Sequence, residues 1–158
     1  MLRSKDTRVR LRALKAIREQ ISVRKKRGFL KLAVKEMRDQ NETCRWQAAI
    51  ILGEFIETDL DTVWRIVRKY AHSPDRNTRT AIATVLVEHM FQLRFPEMKL
   101  RLIDAIRSGD SAVADMVKDM WRFGEAEEKW SEIETLLDTA ARNSSVFGSP
   151  VATNEGQT

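Results

Sequence analysis

An acidic or amide residue recurs at a nearly constant interval, and this internal repeat constrains the fold more than any other feature of the sequence. Asp6, Asn41, Asp75 and Asp110 are separated by 35, 34 and 35 residues. A period of this length is typical of stacked helix pairs. The sequence therefore predicts about four similar two-helix units in one chain.

The same apolar pattern follows each of these four turns. Positions 3, 7, 10 and 11 after the turn residue lie on one stripe of an α-helix, and fifteen of the sixteen residues there are apolar. They are Val9, Ala13, Ala16 and Ile17; Cys44, Ala48, Ile51 and Leu52; Thr78, Ile82, Val85 and Leu86; and Val113, Val117, Met120 and Trp121. We expect this stripe to be buried in every repeat.

Helices are predicted along almost the whole chain. Only six glycines and three prolines occur in 158 residues, and apolar residues recur at helical spacing without the alternation of a strand. The predicted helices, about eight in number, cover residues 6–21, 29–38, 42–57, 60–71, 76–92, 97–107, 111–122 and 126–142. Residues 143–158 are poor in apolar side chains and are predicted to form a disordered C-terminal tail.

Repeats that can hide their apolar faces only against neighbouring repeats build a solenoid rather than a globule. We therefore expect residues 1–142 to form an all-α domain, a right-handed α-solenoid of about four helix pairs. Positions along the sequence would then correspond to positions along the axis of the molecule.

An arginine follows the turn residue at offset four in three of the repeats, at Arg10, Arg45 and Arg79. Together with the turn residues, these arginines suggest a ladder of side chains between adjacent repeats. This combination of turn Asp or Asn, small apolar residues and Arg resembles the HEAT-repeat family over roughly residues 5–123. Residues 44–57 are also similar to small bacterial HEAT-repeat proteins of unassigned role. The resemblance implies a HEAT or armadillo-like solenoid and no particular activity.

A concave binding face is the main functional expectation from this resemblance, because in HEAT-like solenoids the second helix of each pair lines the inner side. Trp46 and Ile50, one turn apart, would form an apolar anchor in the middle of the face. The alternative is that Trp46 packs against a neighbouring repeat, whereas Trp64, Trp121 and Trp130 are expected in the core. The predicted partner-binding residues are Leu11, Lys15, Arg18, Trp46, Ile50, Thr84, Val87, Asp115 and Asp119.

The net charge of +5 conceals a gradient along the chain. Residues 1–40 carry 14 basic and 4 acidic side chains, residues 41–107 carry 10 and 9, and residues 108–158 carry 4 and 10. In an elongated structure, the two ends would attract partners of opposite charge. The groove would accordingly be basic at one end and acidic at the other.

A basic cluster near the N-terminus supports a second interpretation, binding to nucleic acid through phosphate contacts. The alternative is a solvated loop, since Phe29 is the only aromatic residue interleaved for base stacking. In fold and sign of charge, the chain also resembles the HEAT-like DNA glycosylases for alkylated bases, which implies Trp46 and Glu54 as candidates to hold a base. The possible phosphate-binding residues are Arg24, Lys25, Lys26, Arg27, Lys31 and Lys35.

Motifs for catalysis, metal binding and cofactor binding are absent from the sequence. The chain has one cysteine and two histidines, and it has no Gly-rich phosphate loop, Gly-x-Ser-x-Gly elbow or His-Glu-x-x-His motif. Cys44 is expected to be a small core side chain, and His72 to interact with the last carbonyls of its helix. We therefore expect a protein with no cofactor and no catalytic site.

Apolar segments long enough for a signal peptide or a membrane span are also absent, and the cytoplasm is the expected location. The leading hypothesis is a noncatalytic protein-protein interaction module that binds a protein partner on its concave surface. A third hypothesis is a scaffold subunit whose copies join end to end through their unlike charges.

Overall fold

The computed structural model describes residues 6–21 and 27–146, and all the regular secondary structure in these ranges is helical. The prediction of an all-α chain is confirmed for this part of the protein. The elements are α1 (Thr7–Ile21), α2 (Arg27–Glu36), α3 (Glu42–Gly53), α4 (Leu60–Ala71), α5 (Arg76–Ala81), a π-helical segment (Ile82–Val87), α6 (Glu88–Arg107), α7 (Ser111–Lys118), α8 (Glu125–Glu128) and α9 (Trp130–Val146).

Four helices, α1, α3, α4 and α5, begin at a side chain that caps their first turn. The side-chain oxygen of Asn41 accepts a hydrogen bond from the Cys44 N–H at the start of α3. Asp59 caps α4 in the same way, and Asp75 caps α5. Because the first N–H groups of a helix have no partner within the helix, these caps fix where the helices start.

The predicted helix over residues 76–92 contains a π-helical segment that the sequence analysis did not anticipate. The Glu88 N–H donates to the Ala83 carbonyl, five residues earlier, where an α-helix would use the carbonyl four residues earlier. The break expected before Pro96 is present as a kink in α6, with non-helical angles at Arg94 (φ −141°, ψ 43°). Each π turn rotates the residues that follow it relative to an unbroken α-helix.

The C-terminal helices also differ from the prediction. Helix α7 ends at Lys118 instead of at residue 122. The single helix predicted over 126–142 is two helices, α8 and α9, which meet at Lys129. Helix α9 continues to Val146, so residues 143–146, assigned to the tail, are helical, and residues 147–158 lie outside the described ranges.

The helices pack mainly against elements that are close to them in chain order. Helices α1 and α2 pack against α3, and α3 packs against α5 and the π segment. Helix α4 packs against the π segment and α7, while α6 packs against α7, α8 and α9. All of these elements except α5 contribute buried apolar side chains to one continuous core, and α5 buries Ala81 outside that cluster.

The apolar stripe is buried at most of its predicted positions, including Cys44, and Trp64 and Trp130 are also buried as expected. The prediction is wrong for Ala16 and Trp121, which are both exposed. Trp121 is exposed because α7 has already ended, so the helical periodicity no longer applies at that position. Ala16 lies on the first helix, whose main packing partner is α3.

Candidate functional site

The predicted interaction face begins on α1 with one apolar and two basic residues. Leu11 is partly buried and packs against the core. Lys15 and Arg18 are exposed, and neither forms an ion pair within the described ranges. Their charges therefore remain available to a binding partner at this end of the molecule.

Trp46 and Ile50 lie one turn apart on α3, and both are partly exposed. Neither belongs to the buried core cluster or to the partly buried side chains packed against it in the part of the chain that the structure describes. The two side chains thus offer adjacent apolar surface outside the core.

The next two predicted residues do not extend this apolar surface. Thr84 is partly buried, and its hydroxyl donates to the Thr80 carbonyl of the same helix at 2.9 Å. Val87 was predicted on the interaction face, but this is wrong, since the side chain is fully buried. The π segment rotates Val87 into the core, where an unbroken α-helix would have directed it outward.

Asp115 on α7 and Asp119, directly after the end of α7, are exposed and line a groove of about 340 Å³. Asp115 forms an ion pair with Lys118 at 2.9 Å, whereas Asp119 forms none among the described residues. The other residues that line the groove come from the end of α4, the turn after it, α5 and α7. They are Ala71, His72, Ser73, Arg79, Ala112 and Met116.

A buried carboxylate lies beside this groove. Two guanidinium nitrogens of Arg68 donate to Asp110 Oδ2 at 3.2 and 3.1 Å. His72 Nε2 lies 3.0 Å from the other oxygen, Oδ1. The expectation that His72 binds the last carbonyls of its helix is therefore wrong, and the side chain instead contacts the turn that precedes α7.

Arg45 has the inter-repeat contact that the ladder prediction describes. Its guanidinium lies 3.1 Å from the Asp75 carboxylate and also donates to the carbonyls of Asp39 and Gln40 at 2.9 and 3.0 Å. Since Asp75 also caps α5, the turns before α3 and α5 are joined through one side chain.

The other two arginines of the predicted ladder have different partners. Arg10 pairs with Asp39 at 3.0 Å instead of with Asn41. Arg79 donates to the Ser73 carbonyl of its own turn, and it is Arg68 on α4 that binds Asp110. At the first turn, the Asp6 side chain accepts a hydrogen bond from the Arg8 N–H at 2.8 Å. A column of arginines at one offset therefore does not produce a uniform ladder.

Burial raises the pKa of Cys44 and of Glu36, which both lie near Asp39 at the α2–α3 turn. A raised thiol pKa means that Cys44 is mainly protonated at neutral pH, so it lacks the thiolate character of a reactive cysteine. The pKa of Asp75 is lowered, chiefly by the hydrogen bond from the Thr78 hydroxyl at 2.5 Å.

Part of the predicted basic cluster lies outside the described ranges, namely Arg24, Lys25 and Lys26. Helix α2 begins at Arg27. Lys31 and Lys35 are exposed one turn apart on α2, and the structure shows no ion pair for either within the described ranges. These two lysines form a small cationic surface.

An exposed aromatic pair is the feature that the sequence analysis missed. Trp121 and Phe123 lie in the connection between α7 and α8, with ring centroids 6.1 Å apart and ring planes at 59°. Gly124, the last residue of this connection, has a positive φ. A glycine at this position was the sequence signal that α7 ends before it. The apolar pattern alone placed Trp121 in the core.

No family model, curated protein or solved structure matches the chain. Within residues 6–21 and 27–146, no helix has the length and apolar content needed to cross a bilayer. The same ranges contain no cluster of three His, Cys, Asp or Glu side chains arranged to hold a metal ion. These observations define a helical protein in the described ranges.

Proposed function

We propose that the chain is a noncatalytic interaction module, a right-handed α-solenoid of HEAT or armadillo type that binds a protein partner on its concave face. The packing order supports this arrangement. Helices α1, α3 and α5 follow one another in contact, and α7 contacts the π segment that continues α5. Such a row of inner helices is what a stack of helix pairs requires.

The observation that carries this proposal is the apolar surface formed by Trp46 and Ile50. Both side chains keep part of their surface exposed on α3, one of the inner helices in the proposed stack. A few buried residues, among which Trp is frequent, supply most of the affinity of an interface. Charged residues on either side, Lys15 on α1 and Asp119 at the end of α7, would orient the partner.

Partner capture with a matched set of variants tests this function. The full chain is used as bait in a native lysate, the captured protein is identified and purified, and its affinity is measured by calorimetry. Trp46→Ala should weaken binding by at least about tenfold, because an anchor residue contributes more than its share of the binding free energy. The melting temperature of this variant should stay close to that of the parent chain.

The control is Trp121→Ala, which removes the same type of side chain from an exposed position that is not one of the predicted partner-binding residues. This variant should bind the purified partner as the parent chain does. A large fall in the melting temperature of Trp46→Ala would show that Trp46 supports the fold and would remove it from the proposed site.

Nucleic-acid binding is the second candidate, favoured by the exposed cations of α1 and α2. Lys15, Arg18, Lys31 and Lys35 are all exposed and form no ion pair in the described part of the chain. A gel shift with duplex and single-stranded DNA at about 50 and 200 mM salt tests this, since phosphate contacts weaken steeply with salt. No shift at the lower salt concentration excludes this candidate.

A further inference from the structure

Large exposed apolar side chains are concentrated in the C-terminal half of the described chain. They are Leu93, Leu100, Trp121 and Phe123. Trp121 is 64% exposed and Phe123 is 45% exposed, and the two rings lie side by side. Isolated exposed apolar residues are ordinary, but an adjacent Trp and Phe form the kind of patch that interfaces use. Trp121 and Phe123 are called the aromatic pair below.

The backbone that carries the aromatic pair is anchored on both sides. Met120, directly before it, is buried. Arg122 lies between Trp121 and Phe123 in the chain, and its guanidinium is 4.0 Å from the centre of the Trp130 ring. After them, Gly124 has a φ of 52°, and the Gln92 side chain lies 3.6 Å from where a Cβ would stand. The pair is therefore held outward by contacts of its neighbours.

Unpaired carboxylates surround the aromatic pair in sequence. Residues 108–146 carry 4 basic and 9 acidic side chains. Two of the basic ones, Lys118 and Lys129, are each paired with a carboxylate three or four residues away. Five exposed acidic residues in this span form no ion pair in the described ranges, and three of them, Asp119, Glu127 and Glu128, lie within five residues of the aromatic pair. An aromatic centre with acidic neighbours favours a cationic partner, through ion pairs and cation–π contacts.

A matching cationic surface is present on the same chain, along α1. Arg8, Arg12 and Lys15 lie at i, i+4 and i+7, so they share one helix face, and all three are exposed. Residues 7–18 contain no acidic side chain. The three cations form no ion pair within the described ranges, because the main neighbour of α1 is α3, on its other face. Arg8, Arg12 and Lys15 are called the cationic stripe.

We propose that the occupant of the aromatic pair is the cationic stripe of a second copy of this chain. Both surfaces are exposed in the same molecule, so neither covers the other within one copy. The contact joins two different surfaces and leaves one of each free at the ends of every dimer. It therefore continues into open head-to-tail chains. This inference does not depend on the partner proposed for the concave face.

Sedimentation velocity of the full chain tests the proposal. At low salt, increasing protein concentration should produce species larger than a dimer, and at high salt these should dissociate, because salt screens the charge contacts. Trp121→Ser with Phe123→Ser removes the aromatic pair, and Arg12→Glu with Lys15→Glu reverses the stripe. Each double variant alone should self-associate at least about tenfold more weakly than the parent chain.

Mixing the two double variants gives the sharpest result. Each retains one intact surface, so an equimolar mixture should form a two-chain complex and nothing longer. Two controls should associate as the parent chain does: Leu100→Ser, which removes an exposed apolar residue elsewhere, and Lys31→Glu with Lys35→Glu, which makes the same charge change on α2. Circular dichroism melts verify that every variant folds.

Three outcomes would overturn the proposal: a parent chain that stays monomeric at low salt, association that survives in both double variants, or a mixture that does not pair. Trp46→Ala should leave self-association unchanged while it weakens partner capture. The two proposals can therefore fail separately.

Discussion

The Arg45 guanidinium lies 3.1 Å from the Asp75 carboxylate, and this contact joins the start of α3 to the start of α5. The same guanidinium donates to the carbonyls of Asp39 and Gln40, in the turn before α3. One partly buried side chain therefore satisfies acceptors in two successive turns.

Arg45→Met should lower the free energy of unfolding by about 1–3 kcal/mol, because it removes the donor to the partly buried Asp39 carbonyl and breaks the ion pair with Asp75. Urea denaturation measures the change. Arg65→Met is the control, since Arg65 is exposed and, in the part of the chain that the structure describes, its one hydrogen bond is to the neighbouring Thr62. This variant should change stability by less than about 0.5 kcal/mol. Equal effects of the two variants would contradict a connecting role for Arg45.

Asp110→Asn should also lower the free energy of unfolding, by about 1–3 kcal/mol, because Arg68 and His72 both lose a charged partner at a buried position. Asp115→Asn, at an exposed position on α7, is the matched control and should have little effect. Chemical denaturation of the two variants in parallel measures their free energies of unfolding. A neutral Asp110→Asn would show that the carboxylate charge contributes nothing to the junction of α4 and α7.

Val87→Thr tests the rotation that the π segment imposes. Because Val87 is fully buried, its replacement by an isosteric hydroxyl should cost about 1–3 kcal/mol of stability. Thr84→Val makes the reverse change at a partly exposed position and should stay within about 0.5 kcal/mol of the parent. A thermal or urea melt unaffected by Val87→Thr would place Val87 at the surface.

Glu88→Gln should stabilise the protein at neutral pH. Burial raises the pKa of Glu88, so the folded chain binds this proton more tightly than the unfolded chain. Stability is therefore lost as the pH rises from the unfolded pKa through the folded pKa, and a neutral Gln removes this loss. Urea unfolding should show the gain at neutral pH and none below the unfolded pKa.

Glu97→Gln provides a control of opposite sign. The hydrogen bond from Arg94 lowers the pKa of Glu97, so its contribution to stability is present above the unfolded pKa and is lost as the pH falls through the folded pKa. This variant should be slightly less stable than the parent at neutral pH. The effect should be small because the pair is partly exposed to solvent. Shifts of the same sign in both variants would contradict the assignment.

Local features explain how much of the fold could be predicted. Asn41 and Asp75 were recognisable in sequence because short polar side chains are suited to cap helices, and both cap one in the structure. The apolar stripe was recognisable because most of its residues lie on ordinary α-helical turns. The ion pair of Arg45 could be predicted because its partner, Asp75, is the turn residue of the next repeat.

The features that were missed depend on geometry that periodicity does not contain. The contact between Arg68 and Asp110 joins positions 42 residues apart and depends on how α4 packs against α7. Trp121 was assigned to the core because the α-helical pattern was extended past Lys118, where α7 ends. The interaction face was similarly extended through Val87 on the assumption of an unbroken helix.

The π segment has one more consequence, for changes in chain length. The wide π turn takes up about one residue more than an α-helical turn. Removing a single residue between Ile82 and Val87 would therefore restore ordinary α-helical turns and leave the following part of α6 in nearly the same orientation. Met90 and Phe91, both fully buried, would keep their places in the interior, so this stretch should tolerate a one-residue deletion better than an ordinary helical stretch does.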